Sequence, residues 1–313
     1  MKKVSFIIPC YNSELFIENT VNELEKTINE DFTNYNTEII LINDSSKDKT
    51  EEKIEELVKN HKNIIAIDMA KNFGQHGAIF AGLTEATGDI IICLDDDGQT
   101  PPEEAIKLVN ALNQDVDVVY ARYKNKKHSK FRNIGSKVND FMAESLLNKP
   151  KKLFISSYFA MKKYVKDEIL NYTNPYPYLE GLVLRTTNKI KNVDINHRER
   201  KVGKSNYTIK KLLHLWTNGF TSFSIKPLRI AVLCSSIFSI GALLTTIAIV
   251  VNKIKNPLVP IGWSSTMLIL LIIGAVITFL LGLIGEYVGR IYISLNNSPQ
   301  FVIRKVTKND RKD

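Results

Sequence analysis

The sequence predicts an α/β protein with a doubly wound, mostly parallel sheet, followed by a transmembrane helical hairpin. Three observations carry that prediction. Short apolar runs of strand length alternate with segments of helical period through the first third of the chain. Polar and acidic residues gather where these runs stop, and the carboxyl ends of strands are where parallel sheets bind ligands. Two uncharged stretches, the 22 residues Ile230–Val251 and the 29 residues Pro257–Gly285, are each long enough to cross a bilayer.

The elements follow in order. Val4–Ile8 reads as a strand stopped by Pro9, and Cys10-Tyr11-Asn12-Ser13 as a loop. Ser13 suits the cap of a helix whose Ile17, Val21, Leu24 and Ile28 share one face. Glu38–Ile42 is a second strand, ending in Asn43-Asp44-Ser45-Ser46, and a charged helix follows with Ile54, Leu57 and Val58 inward. Asn63–Asp68 is a third strand, and Lys71–Gly77 a loop before a small-residue helix, Ala78–Ala86. Ile90–Leu94 is a fourth strand, buried on both faces; a helix to Leu112 and a strand at Val116–Ala121 come next. Such β-α-β-α order favours parallel strands joined by right-handed crossovers.

The fourth strand ends in Asp95, Asp96 and Asp97, then Gly98 and Gln99. Pro101 and Pro102 suit the first turn of a helix opened near Thr100, with Glu103 and Glu104 at its positive end. Alternation along an extended chain turns Asp95, Asp97 and Gln99 one way and Asp96 the other. Three hard oxygen donors suit Mg²⁺ or Mn²⁺, which would in turn hold a diphosphate. A solvated acidic turn is the simpler alternative, but turns rarely need three consecutive Asp after a buried strand. Tyr11, Asn12 and Glu14 after the first strand, and Asp44 and Ser46 after the second, would share that crevice. There Tyr11 could stack on a base, Asp44 accept from a base N–H, and the carboxylates sit over phosphates. The dinucleotide fingerprint and the Walker A sequence are both absent.

Composition narrows the classes. The formal charge of +9 is no argument for nucleic acid, because the basic residues are clustered and much of the apolar content lies in one late block. Cys10, Cys93 and Cys234 have neither metal nor disulfide spacing, which suits a reducing compartment for the N-terminal part. The first apolar run is too short for a signal peptide.

Pro9-Cys-Tyr11-Asn12-Ser-Glu14, Asn43-Asp44-Ser-Ser-Lys-Asp-Lys-Thr50, Asn72-Phe-Gly, Ala81-Gly82-Leu83, Gly88-Asp89 and Asp95-Asp-Asp97-Gly-Gln99-Thr-Pro-Pro102-Glu103 resemble family 2 glycosyltransferases of the GT-A fold. More narrowly, they are similar to the dolichyl- and undecaprenyl-phosphate sugar transferases. The resemblance implies a metal held by Asp95, Asp97 and Gln99. It implies a nucleotide pocket lined by Pro9, Tyr11, Glu14 and Asp44, with Asn12, Ser46, Asn72 and Asp96 counted in the donor site. Partners would be a nucleotide sugar (a UDP-sugar favoured), a polyprenyl phosphate and membrane lipids. A homo-oligomer, a tetramer, is also in keeping with the resemblance.

Residues 122–137 hold seven Lys or Arg and no acid. They read either as a basic surface loop or as a funnel for phosphate. Arg122 at a strand end and Arg132 near a helix start are the better placed, and the resemblance points to the same two. Arg198-Glu-Arg200-Lys-Val-Gly203-Lys204-Ser205-Asn-Tyr207 is similar to the family's Arg-x-x-Gly-x-Ser-x-Tyr loop. It assigns Arg200 and Ser205, with Arg132, to the acceptor phosphate; a basic juxtamembrane loop is the alternative. Asp97, Asp96, Arg200, Arg122 and Arg132 make up the expected catalytic group. Two places depart from the family: Ile155-Ser156-Ser157-Tyr158-Phe159 lacks an acid before the aromatic, and Glu180 stands where many relatives carry Arg. An acid in place of a base suggests a sugar other than glucose.

The expected layout is a cytoplasmic catalytic domain at 1–210, an amphipathic interfacial helix at 211–228, a two-helix hairpin at 229–289 and a basic cytoplasmic tail at 290–313. The connector carries only Lys253 and Lys255, whereas the flanks are richer in Lys and Arg, so the positive-inside rule puts both ends in the cytoplasm. The expected function is inverting transfer of a sugar to a polyprenyl phosphate at the cell (inner) membrane, for cell-envelope glycans. A polysaccharide-synthase-type enzyme should show more spans and a Gln-x-x-Arg-Trp sequence. A non-catalytic, membrane-tethered binding module should have lost the metal ligands. Neither pattern is in the sequence.

Overall fold

The computed structural model describes residues 1–112, 114–123, 149–151, 153–175, 177–196, 262–295 and 299–309, with isolated positions between 144 and 255. Two compact units emerge: Met1–His214 together with Ser298–Asp313, and Leu215–Asn297.

The first unit is built on one eight-stranded sheet. In chain order it comprises β1 (Lys2–Cys10), α1 (Ile17–Asp31), β2 (Tyr35–Asn43), α2 (Thr50–Asn60), β3 (Ile64–Met69), α3 (Gly74–Glu85) and β4 (Ile90–Cys93). A short 3₁₀ turn (Pro102–Glu104) then runs into α4 (Ala105–Ala111). The rest is β5 (Val118–Tyr123), β6 (Phe159–Lys162), α5 (Lys163–Leu170), α6 (Leu179–Thr186), β7 (Ile190–Ile195) and, after the second unit, β8 (Ile303–Lys308). The strand order is β7-β5-β6-β4-β1-β2-β3-β8.

Strand β1 is central because both of its faces are apolar: Val4, Phe6, Ile7 and Ile8 are wholly buried. It pairs in parallel with β2 on one side and β4 on the other, with Ile7 opposite Cys93 and Cys10 opposite Asn43. That register sets the carboxyl ends of β4, β1 and β2 side by side, as the sequence predicts. Helix α3 lies unusually close to this part of the sheet. A Cβ on Gly82 would stand 2.8 Å from Ile7 Cγ2 and 2.9 Å from Ile42 Cδ1. The small residues of this helix are therefore a packing requirement.

Four of the seven strand junctions are parallel and three antiparallel, so the sheet is mixed. Strand β6 is inserted between β4 and β5, antiparallel to both. The end of the chain also differs from the expected basic tail. Residues 303–308 form β8, antiparallel to β3, and close what would otherwise be an open edge. Lys305 pairs with Glu55 at 2.8 Å and Lys308 with Glu85 at 3.0 Å, which draws this basic strand onto an acidic flank.

The second unit contains α7 (Trp263–Leu295), whose 33 residues span about 50 Å at 1.5 Å each. Its stretch Ile272–Gly289 is long and apolar enough to cross a membrane. Phe279, Leu281 and Leu295 stand exposed on it. Residues 211–228, and most of Ile230–Val251, lie outside the described residues.

Candidate active site

The loops after β1 and β2 are tied to each other link by link. Asn12 N donates to Ser46 Oγ at 3.0 Å, and Lys47 N to Asn12 Oδ1 at 2.9 Å. Glu14 N donates to Asp48 Oδ2 at 3.2 Å, and Lys49 N to Glu14 Oε2 at 3.0 Å. Both loops carry a non-glycine residue in the left-handed region, Asn12 and Ser45, each at φ 55°. Such backbone persists where the surroundings over-determine it, which is common at binding sites. Tyr11 projects from this frame with 43% of its surface exposed, free to offer a ring face. Pro9 does not stop the strand as expected: it lies within β1 opposite Ile42, and the strand runs on to Cys10.

Asp44 is turned inward and is only 3% exposed. Its two oxygens accept from Phe73 N at 2.7 Å and Gly74 N at 2.8 Å, at the start of α3. The carboxylate thus anchors the positive end of that helix. Burial pushes it up to about 6, although the two N–H groups favour the charged form. Asn72 Nδ2 donates to the Asp44 carbonyl at 3.1 Å, so Asn72 braces the same corner.

In the acidic loop after β4, Asp95 and Asp96 take different partners. Asp96 faces the β1 loop, accepting from the Ser13 hydroxyl and, at 3.4 Å, from Tyr11 N. Burial, then the neighbouring Asp95 and Asp97 charges, push Asp96 up to about 7 against the Ser13 hydrogen bond. Asp95 faces the other way. Its Oδ1 accepts from Gln75 Nε2 at 3.0 Å and its Oδ2 from Ser157 Oγ at 2.5 Å. Asp97 Oδ1 accepts from Gln99 N at 3.0 Å, while Gly98 makes the turn at φ 71°. Wholly buried Thr100 closes the loop, accepting from Asp95 N at 3.1 Å and donating to Asp95 O at 3.0 Å.

The Asp95 and Asp97 carboxylates are oxygen donors of the kind a hard divalent cation takes. Among the described residues no three His, Cys, Asp or Glu gather to hold a metal. A site here would use the carboxylates of Asp95 and Asp97 and the amide of Gln99, completed by diphosphate and water oxygens, the arrangement that suits Mg²⁺.

Several residues escaped the sequence reading. Ser13 does not cap α1, whose first residue is Ile17; its hydroxyl is engaged with the Asp96 carboxylate. Gln75 carried no signal at all. Ser157 stood out as a family departure, and the structure shows its hydroxyl on Asp95. Glu180 comes within 3.8 Å of His76 Nε2, and the His76 ring meets Tyr178 edge-on at 5.5 Å. Among the described residues, buried His76 Nδ1 and Glu180 Oε2 have no hydrogen-bond partner.

Arg122 is paired across the sheet, its Nε donating to Asp194 Oδ1 at 2.5 Å. Arg132, Arg200 and Ser205 lie outside the described residues.

Comparison with known proteins shows the family and the fold. Residues 5–170 match the family model described as glycosyl transferase family 2, and residues 226–291 match the GtrB C-terminal hairpin. An uncharacterized glycosyltransferase, YkcC of Bacillus subtilis, is 30% identical over 302 residues, 96% of this chain and 93% of that protein. The undecaprenyl-phosphate 4-deoxy-4-formamido-L-arabinose transferase of Photorhabdus laumondii is 32% identical over 318 residues, 99% of this chain and 96% of that protein. Among solved structures, the glucosyl-3-phosphoglycerate synthase of Mycobacterium tuberculosis aligns with a TM-score of 0.51 at 15% identity, covering 71% of this chain and 81% of that one. The same enzyme, solved with Mn²⁺, uridine diphosphate and phosphoglyceric acid, aligns with a TM-score of 0.50 at 16% identity, over 68% and 74% of the two chains. At these identities the likeness is one of fold.

Proposed function

The chain belongs to glycosyl transferase family 2, and from that premise we propose that it moves a sugar from a nucleotide diphosphate to a polyprenyl phosphate at the cytoplasmic face of the cell membrane. The observation that carries this reading is the pooling of three strand ends. The loops after β1 and β2 are hydrogen-bonded to each other through Asn12 and Ser46, and the β1 loop to Asp96 of the acidic loop after β4, in a chain that also matches a membrane hairpin family. The relatives named for undecaprenyl-phosphate sugar transfer run nearly the full length of the chain. A UDP-sugar is the donor we favour, since the structural neighbour binds uridine diphosphate.

In this mechanism Tyr11 offers its ring to the base, and the loops of Asn12 and Ser46 border the donor. Asp95, Asp97 and Gln99 would hold Mg²⁺ or Mn²⁺, and the ion would supply positive charge to the leaving diphosphate. An oxygen of the lipid phosphate attacks the anomeric carbon as the bond to the diphosphate breaks, and the bonding pair leaves with the diphosphate. One in-line displacement inverts the anomeric configuration. A lipid phosphate is already anionic at neutral pH, so positioning and charge stabilisation dominate and no strong base is required. Asp96, held by Ser13 and Tyr11, shapes the crevice. Arg200, Ser205 and Arg132 are assigned to the acceptor phosphate, and Arg122, in β5, to the same charge-stabilising group.

The sheet supports the membrane topology as well. It takes β7 from before the second unit and β8 from after it. A chain that leaves and rejoins one folded unit crosses a bilayer an even number of times. Helix α7 supplies one crossing and Ile230–Val251 the other, as a hairpin with both ends cytoplasmic.

The test incubates the purified full chain with radiolabelled nucleotide sugars and undecaprenyl phosphate. Label should pass to the lipid with Mn²⁺ or Mg²⁺ present, and both excess chelator and Asp97→Asn should abolish transfer. Full transfer in chelator would refute the metal role, and no transfer from any nucleotide sugar would refute the reaction.

A further inference from the structure

Strand β8 does more than cover an edge. Arg304 Nε donates to Asp68 Oδ2, and its Nη2 reaches Glu51 Oε1 at 3.1 Å and Oε2 at 3.2 Å. Asp68, at the inner end of β3, is 8% exposed. Its other oxygen accepts from Asn43 Nδ2 at 2.8 Å. Asn43 is the last residue of β2, 2% exposed, and its Oδ1 accepts from Ser46 N at 3.1 Å. Ser46 Oγ accepts from Asn12 N, and Asn12 Oδ1 from Lys47 N. An unbroken series of hydrogen bonds therefore runs from the strand that follows the second unit to both loops of the donor crevice. Each polar group in it is oriented by the one before, and the two left-handed residues, Asn12 and Ser45, lie where the series ends.

We propose that Arg304 is a positioning residue for the donor loops. By orienting the buried Asp68 carboxylate it fixes the Asn43 amide, and through that amide the Ser46 and Asn12 backbone that borders the nucleotide. The proposal rests on reading that crevice as the donor site. Arginine suits the task because its planar fork holds Asp68 and Glu51 at once, which a lysine ammonium does as a point charge only. Lys305 is the control: its backbone stands opposite Asp68 in the β3–β8 pairing, but its side chain pairs with Glu55 of α2 at 2.8 Å and not with the Asp68 carboxylate.

The experiment compares full-length R304A, R304K and K305A with the unaltered protein in membrane mimetics. Amide hydrogen exchange, measured without nucleotide, should quicken at residues 11–14 and 45–48 in R304A, less so in R304K, and not in K305A. The Kd for UDP in the presence of Mn²⁺ should rise by roughly 3- to 30-fold in R304A, the size of effect that mutations along such networks produce. With a donor that is turned over, KM should rise while kcat stays within about twofold, the mark of lost binding. Unchanged exchange in the two loops overturns the proposal, as does an equal response in K305A, which would make β8 a generic edge brace. If R304A fails to accumulate, R304K against K305A decides by the same criteria. Failure of the unaltered protein to bind UDP or transfer any sugar would count against the donor-site reading, while the exchange measurement would still decide the relay.

Discussion

Removing the Ser157 hydroxyl tests whether Asp95 must be aimed. Ser157 Oγ donates to Asp95 Oδ2 at 2.5 Å, and Gln75 Nε2 holds Oδ1 at 3.0 Å from the opposite side. A hydrogen bond to a charged acceptor contributes about 1.5–3 kcal/mol, and the part-buried Ser157 bond belongs in that range. The exposed Gln75 bond sits lower, about 0.5–1.5 kcal/mol. If Asp95 is a cation ligand, losing an orienting partner weakens metal binding by about 10- to 100-fold. That ratio corresponds to about 1.4–2.8 kcal/mol, so the two routes to the magnitude agree. The assay is the initial rate of sugar transfer against free Mn²⁺ at fixed donor and lipid phosphate. Ser157→Ala should raise the half-activating concentration by about 10- to 100-fold, with Gln75→Ala smaller and Ser157→Thr close to the unaltered protein. A half-activating concentration unchanged in Ser157→Ala and in the Ser157→Ala/Gln75→Ala double variant would refute the reasoning.

Glu180→Gln should lower kcat/KM for the donor sugar by about 10-fold or more while leaving inhibition by free UDP unchanged, as expected if a buried carboxylate oxygen meets the sugar. Equal losses for sugar nucleotide and UDP would make Glu180 and His76 a packing contact between α6 and α3. Glu38 tests the sheet. It accepts from Ser5 Oγ at 2.6 Å and Thr87 N at 2.7 Å, and pairs with Lys3 at 2.6 Å. Despite burial, these partners hold its carboxyl below the usual value. Its contribution is therefore present above the unfolded-state pKa of about 4.3 and lost as pH falls through the lower folded value. Glu38→Gln should cost about 1–3 kcal/mol at neutral pH in chemical denaturation, because Lys3 can return to water, and the loss should shrink in acid. A pH-independent difference would sink the assignment.

What the sequence determined by itself was whatever depends on neighbours along the chain. The apolar runs Val4–Ile8, broken only by Ser5, and Ile90–Leu94 read as strands buried on both faces, and the two uncharged stretches are each long enough to cross a bilayer. The Asp95–Gln99 cluster was legible because three carboxylates after a buried strand need a reason to be there. Alternation separated Asp96 from Asp95, and their hydrogen bonds to the β1 loop and to Gln75 and Ser157 follow that division. Tertiary structure decided what depends on pairing across long separations. Strand β6 enters the sheet antiparallel, and no local pattern states the direction of a strand's partner. In Ile303–Lys308, four of the six residues are polar or charged, so the segment reads as a tail. It becomes a strand because β3 offers an unpaired edge and Asp68, Glu51 and Glu55 offer charge. Gln75 and Ser157 stand 20 and 62 residues from Asp95, and only the packing of α3 and the approach to β6 against β4 bring them to one carboxylate. Asp44 was legible as a polar strand end, but its commitment to the first N–H groups of α3 was not, because a helix end selects its anion by position in space.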